Sequence, residues 1–139
     1  MPSIETEIQT AINAAVDIVT ARQRGRSLAL ELGFNWADVT LIAAAISEVA
    51  RNIIDHAQKG GIVMSAVNSD LDGSHNGSQI IARDEGPRIR DVAQAMKYGY
   101  STRKVLGVGL PGAKWLMDEF DIASEVGRGT TITMKKWRR

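Results

Sequence analysis

Apolar and polar residues recur along the chain with two different periods, and these periods divide it into helices and strands. A spacing of three or four residues predicts three helices, at residues 17–32, 36–58 and 110–120. Period-two alternation or a short apolar run predicts five strands, at residues 3–10, 62–67, 79–84, 120–126 and 130–137. The order β-α-α-β-β-α-β-β, with an irregular stretch at 86–106, predicts one α/β domain over residues 1–139. We expect a sandwich in which a mixed sheet is covered by helices on one face.

Glycine and capping residues mark the ends of the first two helices. Gly33 suits the C-cap of the first helix, and Asn35 or Asp38 suits the N-cap of the second. Gly25 lies in the middle of the first helix, where glycine costs up to about 1 kcal/mol relative to alanine.

Composition and charge exclude several classes of protein. The 139 residues carry a net charge of +1, which argues against a strongly basic nucleic-acid binder. Cysteine is absent, and the two histidines are too few and too poorly spaced for a zinc site. Without a membrane-length apolar run or a signal-like N-terminus, we expect a cytoplasmic protein with no membrane partner. The basic run at residues 135–139 is typical of a solvated end.

Two polar residues lie one turn apart at the border of an apolar helix stripe. The stripe of the second helix is formed by Ile42, Ile46, Val49 and Ile53. Asn52 falls on its edge, and Glu48 lies one turn back and slightly further round. Either the two form an ordinary polar pair on a solvated flank, or they are a metal-ligating carbonyl and a general base beside a cleft.

Three short motifs contain residue types that suit a nucleotide. Asp84 ends an apolar strand and can accept hydrogen bonds from a ligand amine, while Gly86 permits close approach of the backbone. GVGLPG at 107–112 opens a helix, where bare backbone amides can bind phosphate, although its context does not fit a dinucleotide-binding fold. Thr130 follows a Gly-Arg-Gly turn and has a hydroxyl and an amide to offer. Each motif alone also suits an ordinary turn or loop.

The order of these motifs is more specific than any one of them. Glu-x-x-x-Asn, Asp-x-Gly, an irregular stretch, Gly-x-Gly before a helix and then Gly-Thr resemble the GHKL, or Bergerat, ATP-binding fold of gyrase, Hsp90, histidine kinases and MutL. The sheet of that fold is mixed and mostly antiparallel. ISEVARNI, DEGP, GYST, GVGLPGAKWLMDEF and GTTI are similar to the bacterial anti-sigma-factor serine/threonine kinases. Over nearly the whole chain the likeness is strongest to the RsbT-type stressosome switch kinases.

This resemblance implies an ATP-dependent protein serine/threonine kinase that uses Mg²⁺. Glu48 would be the catalytic residue that acts on the attacking hydroxyl, Asn52 would bind Mg²⁺, and Asp84 would accept the adenine amine. The implied ATP-binding residues are Asn52, Asp84, Gly86, Gly107, Val108, Gly109, Leu110 and Thr130. Candidate phosphate or lid contacts are Arg51, Arg88, Arg103 and Lys104, with the lid at about residues 87–106. Arg51 faces either the phosphates or a protein partner.

The resemblance also implies partners and leaves alternatives open. Such kinases phosphorylate Ser or Thr on small STAS-domain proteins and, once released, activate a PP2C-type phosphatase. Arg88 stands where the family usually has a second glycine, and this departure favours a nucleotide-binding module that acts only by protein contact. A detached sensor-histidine-kinase catalytic domain is disfavoured, because no helical hairpin with a phosphoacceptor histidine precedes the domain.

Overall fold

The computed structural model of this chain describes residues 7–57, 59–68, 76–84, 109–125 and 129–138. Its helices and strands follow the predicted order. They are β1 (Glu7–Ile12), α1 (Ala15–Glu31), α2 (Trp36–His56), β2 (Gly60–Asn68), β3 (Asn76–Asp84), α3 (Gly109–Leu116), β4 (Glu119–Glu125) and β5 (Gly129–Trp137). No helix in these ranges is long and apolar enough to cross a membrane.

The strands form one sheet in the order β1-β2-β3-β5-β4. All four neighbouring pairs are antiparallel, so the described strands contribute no parallel pairing to the mixed sheet that was expected. The predicted α/β fold class, an open sheet with helices, is confirmed. Because β5 pairs with both β3 and β4, it lies inside the sheet and links the end of β3 to the β4–β5 hairpin.

The core lies between the sheet and α2. The predicted stripe of α2 is buried, with Ile42, Ile46 and Val49 fully inaccessible to solvent. It faces alternate residues of the inner strands, namely Ile62, Met64, Ile80, Ala82, Ile132 and Met134. Full burial of an isoleucine side chain contributes about 1.5–3 kcal/mol, so this stripe accounts for a large part of the packing that fixes α2 on the sheet.

Gly25 has a packing role that outweighs its low helix propensity. A Cβ atom built on Gly25 would collide with Cδ1 of Ile46 and lie 3.6 Å from Sδ of Met64. The absence of a side chain therefore lets α1 approach α2 closely enough for both helices to share the core. The expected local cost of glycine is offset by tertiary contact.

Side-chain caps explain where α1 and α2 begin. Oδ2 of Asp17 accepts from the backbone N–H groups of Asn13, at 2.9 Å, and Ala14, at 3.0 Å, so α1 starts at residue 15 rather than at 17. Of the two candidate caps of α2, Asn35 is the one used, because its Oδ1 accepts from the backbone N–H of Asp38 at 2.8 Å. The cap therefore confirms the predicted start of α2 at Trp36.

Strand pairing also overrides local periodicity at the end of the third helix and in the first strand. The helix predicted at 110–120 ends at Leu116, since the backbone N–H of Asp118 donates to the Lys135 carbonyl at 2.9 Å and Glu119 already begins β4. The first strand, predicted at 3–10, is described from Glu7 and continues to Ile12, which is fully buried and pairs with Gly60.

The basic run at the end of the chain is only partly solvated. Lys136 is just 6% exposed and shares the helix-covered face of β5 with Ile132 and Met134. Its Nζ donates to the backbone carbonyl of Leu116 at 2.8 Å. The expectation of a solvated end was wrong for this residue, because the period of two along β5 turns Lys136 inward and Lys135 outward.

Candidate nucleotide site

Asp84 is a buried carboxylate at the end of β3, on the face of the sheet that the helices cover. It is 5% exposed, and its Oδ1 accepts from the backbone N–H of Thr130 at 3.1 Å. Thr130, near the start of β5, is 2% exposed. The antiparallel pairing of β3 with β5 brings together these two residues, which are 46 positions apart in sequence. Two of the predicted ATP-binding residues are therefore in contact.

Gly129 lets β5 approach Asp84 closely. Its φ is +81°, a value that favours glycine, and a Cβ atom there would collide with the Asp84 carbonyl oxygen and lie 2.7 Å from Oδ1. A side chain at residue 129 would therefore force the two strand ends apart. This glycine therefore permits the short distance between Thr130 and the carboxylate.

Ser124 is a site residue that the sequence reasoning missed. Its Oγ lies 3.1 Å from Oγ1 of Thr130, across the β4–β5 pair. The hydroxyl pair orients the Thr130 side chain, while the Thr130 backbone N–H contacts Asp84. The signal was available, because the Gly-Arg-Gly turn predicted from the sequence, with regular antiparallel register, places Ser124 opposite Thr130.

The C-terminal half of α2 passes over the same end of the sheet. A Cβ atom built on Gly60 would lie 2.9 Å from Cγ2 of Ile53 and 3.0 Å from Cα of Asp84, so Gly60 separates the helix from the strand end. Asn52, next to Ile53, is 9% exposed. Within the described parts of the chain, its side-chain amide has no hydrogen-bond partner. Its amide atoms are not among the fully buried unpaired atoms of the described residues, so the amide is open to solvent and to a ligand.

Glu48 lies one turn before Asn52 and forms an ion pair with Arg51. The distance between Oε2 of Glu48 and Nη1 of Arg51 is 3.1 Å, and the two side chains are 15% and 33% exposed. A pair of this exposure stabilises the helix by no more than about 1 kcal/mol. It does fix the direction of the carboxylate. Arg51, expected to face phosphates or a partner, contacts Glu48 here.

The start of α3 is described from Gly109 onward. Leu110 is 3% exposed and packs in the core with Ala113, so only its backbone is available to a ligand. The first N–H groups of a helix lack partners within the helix and carry partial positive charge, which suits phosphate. The remaining predicted residues, Gly86, Arg88, Arg103, Lys104, Gly107 and Val108, and the lid at 87–106 lie outside the described residues.

The donor set suits Mg²⁺ bound together with phosphates rather than a cage made by the protein. In the described ranges no three or more His, Cys, Asp or Glu residues cluster to hold a metal ion. The amide oxygen of Asn52 is a hard ligand, and Mg²⁺ commonly takes one or two protein ligands together with phosphate oxygens and water. The residues present are therefore compatible with a nucleotide–Mg²⁺ complex in which Asn52 would be the protein ligand.

Comparison with known proteins gives matches along nearly the whole chain. The family model described as "Histidine kinase-like ATPase domain" matches residues 12–136. A Bacillus subtilis protein named serine/threonine-protein kinase RsbT is 50% identical over 123 residues, which are 88% of this chain and 90% of that protein. An anti-sigma F factor of Clostridium acetobutylicum is 34% identical over 122 residues, covering 84% of this chain and 82% of that protein.

A solved structure supports the same fold. The crystal structure of the RsbU and RsbW domains of Rv1364c from Mycobacterium tuberculosis superposes with a TM-score of 0.62 at 24% identity. The match covers 96% of this chain and 33% of that one, so this chain spans about a third of its length. At this identity the likeness concerns the fold alone.

Proposed function

Since this chain belongs to the family of histidine kinase-like ATPase domains, we propose that it is an ATP-dependent protein serine/threonine kinase that also works as a binding switch. The family likeness inferred from the sequence is confirmed, and the predicted enzyme class agrees with the name of the Bacillus subtilis relative. One observation carries the proposal at the level of residues. The Asp84–Thr130 contact and the unpartnered amide of Asn52 lie at the same end of the interface between α2 and the sheet.

Asp84 would recognise the adenine base. A carboxylate can only accept hydrogen bonds, and adenine presents an exocyclic amine that donates one. The Thr130 amide holds Oδ1 in place, so the carboxylate is oriented before the base arrives. Preorganisation of this kind reduces the cost of ordering the site on binding.

Asn52 and the start of α3 would hold the phosphate end of ATP. The amide oxygen of Asn52 would contribute to Mg²⁺ coordination, and backbone N–H groups near Gly109 and Leu110 would contact phosphate oxygens. Bound Mg²⁺ would neutralise negative charge on the phosphates during transfer. The protein's part is to fix both groups on rigid helices that share a core with the sheet.

Glu48 would orient or deprotonate the attacking hydroxyl of a target Ser or Thr. In the structure its carboxylate is held by Arg51, which keeps the oxygen atoms on one side of α2. Phosphoryl transfer needs positioning more than strong base catalysis, so a carboxylate fixed in direction suits this role.

The family likeness also supports a proposal about partners. We expect the substrates to be small STAS-domain proteins of a bacterial stress-signalling pathway of the stressosome type. Release from that complex would allow the chain to activate a PP2C-type phosphatase. A cytoplasmic location, expected from the sequence, stays a prediction.

The direct test is phosphotransfer to a candidate partner. The chain is incubated with radiolabelled ATP, Mg²⁺ and a STAS-domain protein encoded by a neighbouring gene, with a Ser- and Thr-free version of that partner as control. Label on the unmodified partner alone supports the kinase. If the chain binds ATP and activates a phosphatase but labels no STAS-domain protein, the kinase assignment is wrong.

A second candidate function is a nucleotide-binding module that acts only by protein contact. Arg88 favours it, because the family usually has a second glycine at this position. The two candidates differ in one result. Substitution of Arg51 by alanine should lower transfer in a kinase, because the ion pair that directs Glu48 is lost, whereas a contact module has no transfer to lose.

A further inference from the structure

Lys136 is a buried cation on the helix-covered face of the sheet, at the end remote from Asp84. It is 6% exposed, and within the described residues it forms no ion pair. Its Nζ donates to the carbonyl oxygen of Leu116, the last residue of α3, at 2.8 Å. A buried charge is costly unless something compensates it, and the partial negative charge at a helix C-terminus does so here. The place of the Lys136 ammonium group, at the C-terminus of α3, therefore suits a cation.

Two further hydrogen bonds fasten the same end of α3 to β5. The backbone N–H of Asp118 donates to the Lys135 carbonyl at 2.9 Å, and the Trp137 N–H donates to Oδ2 of Asp118 at 2.8 Å. With Lys136, three consecutive residues of β5 hold the chain that leaves α3. The helix has eight residues, so it is about 12 Å long and too short to bend appreciably. A shift of its C-terminus must therefore move its N-terminus as well.

One strand thus carries both ends of the candidate site. Thr130 of β5 holds the Asp84 carboxylate, and Lys136 of the same strand holds α3, whose first residues face the phosphates in the proposed function. The two residues are six positions apart, or about 20 Å along an extended strand. Together with the packing of Leu110 and Ala113 in the core, β5 therefore helps to set the distance between the base-binding carboxylate and the phosphate-binding helix.

We propose that Lys136 is a positioning residue for nucleotide binding, which places the N-terminus of α3 against the phosphates by fixing its C-terminus to β5. This inference rests on the proposed function. A positioning role and a purely structural role predict different effects on the phosphate part and the base part of the nucleotide. Loss of Lys136 should weaken contacts with the phosphates and spare contacts with the base, because the Asp84–Thr130 contact lies at the opposite end of β5 and does not involve the Lys136 side chain.

The experiment compares Lys136→Met with Lys135→Met. Both variants remove one positive charge from β5, but Lys135 has a side chain that is 31% exposed, lies on the opposite face and is 4.0 Å from Glu119. Affinity for ATP with Mg²⁺ is measured by calorimetry, and affinity for adenosine by NMR titration of the Thr130 amide signal. We expect Lys136→Met to lower ATP affinity about tenfold, through misplacement of α3, and to leave adenosine affinity unchanged. Lys135→Met should change neither.

Further measurements separate positioning from stability. Thermal unfolding is recorded for each variant. The affinities of Lys136→Gln, which keeps a donor for the Leu116 carbonyl, are measured as well. This variant replaces Lys136→Met if Lys136→Met does not fold. Unchanged ATP affinity in a folded Lys136 variant would overturn the proposal, and so would a parallel loss of ATP and adenosine affinity. If the unsubstituted chain binds no ATP, both the proposed function and this inference are wrong. If it binds ATP and substitution of Lys136 does not change the affinity, only the inference is wrong.

Discussion

Each end of β5 places buried polar groups on the helix-covered face of the sheet. The hydrogen-bond partners of these groups differ between the two ends. At one end the Thr130 amide and the Asp84 carboxylate bond to each other, and Asn52 on the helix above has no partner in the described structure. At the other end Lys136 donates to the last carbonyl of α3 and leaves that helix terminus satisfied. At the first end the amide of Asn52 is available to a ligand. At the second end the ammonium group of Lys136 fastens α3 to the sheet.

This difference separates a binding site from a structural anchor within one strand. An amide without a protein partner at the same end of the sheet as a preoriented carboxylate favours a ligand site there more strongly than burial alone. Substitutions at the Asp84 end should therefore change binding or transfer more than stability. Substitutions at the Lys136 end should act through the position of α3.

The largest expected effect tests whether the candidate site catalyses phosphotransfer. Glu48→Gln should lower single-turnover phosphotransfer to a STAS-domain partner by roughly 10²–10⁴-fold, the usual range for general-base catalysis. ATP and partner affinity should be nearly unchanged, because the amide is isosteric with the carboxylate. The loss will be at the lower end of this range if the transition state is loose and needs little early proton abstraction.

Arg51→Ala provides a control for Glu48→Gln. It leaves the carboxylate in place but removes the ion pair that directs it. A smaller loss of transfer than in Glu48→Gln would show that the carboxylate acts and that Arg51 only orients it. Equal losses would instead assign the effect to the pair as a unit.

The next effect concerns the carboxylate that Thr130 holds. Asp84→Asn should weaken ATP binding by about 1–3 kcal/mol, because a charge-assisted hydrogen bond to the adenine amine is lost or inverted. GTP has a carbonyl where ATP has that amine and should bind poorly to the unsubstituted chain. Equal affinities for ATP and GTP, measured by calorimetry, would contradict the adenine assignment.

The two ends of β5 also differ in how much the sequence could predict. Asp84 and Thr130 were expected because the order of short motifs matched a family, and the five strands and three helices followed from periodicity. Lys136 was misjudged because its neighbours in sequence are charged, whereas its burial depends on alternation with Ile132 and Met134 along β5. A run of charged residues in a strand is not exposed throughout, because alternate side chains point to opposite faces of the sheet.

Tertiary contacts explain the other misses. The close approach of α1 to α2 at Gly25 could not be read from the sequence, where glycine indicated only a weak point in a helix. The end of α3 at Leu116 depends on pairing between residues 118 and 135, which local spacing does not report. Ser124 was within reach, since the hairpin register alone places it opposite Thr130.

A smaller effect distinguishes the amide of Asn52 from the carboxylate of Asp84. Asn52→Ala should remove only the Mg²⁺-dependent part of nucleotide affinity, by about tenfold, and should lower transfer as well. Calorimetry of ATP binding with Mg²⁺ and with excess chelator measures this part directly. Asp84→Asn should weaken binding under both conditions. If Asn52→Ala reduced affinity equally with and without Mg²⁺, the amide would be contacting the nucleotide itself.

The smallest expected effect falls on Ser124, which contacts the site through Thr130. Its hydroxyl lies 3.1 Å from Oγ1 of Thr130, and the Thr130 amide in turn holds Asp84. Ser124→Ala should lower ATP affinity by roughly two- to fivefold, the equivalent of one neutral hydrogen bond, without changing dependence on Mg²⁺. Thr130→Ser is a matched control, because it retains both the amide and the hydroxyl and should bind ATP almost normally. Since the Ser124 contact orients a group beside the base, the ratio of ATP to GTP affinity should fall in Ser124→Ala. An unchanged ratio would show that the Thr130 amide alone suffices to orient Asp84.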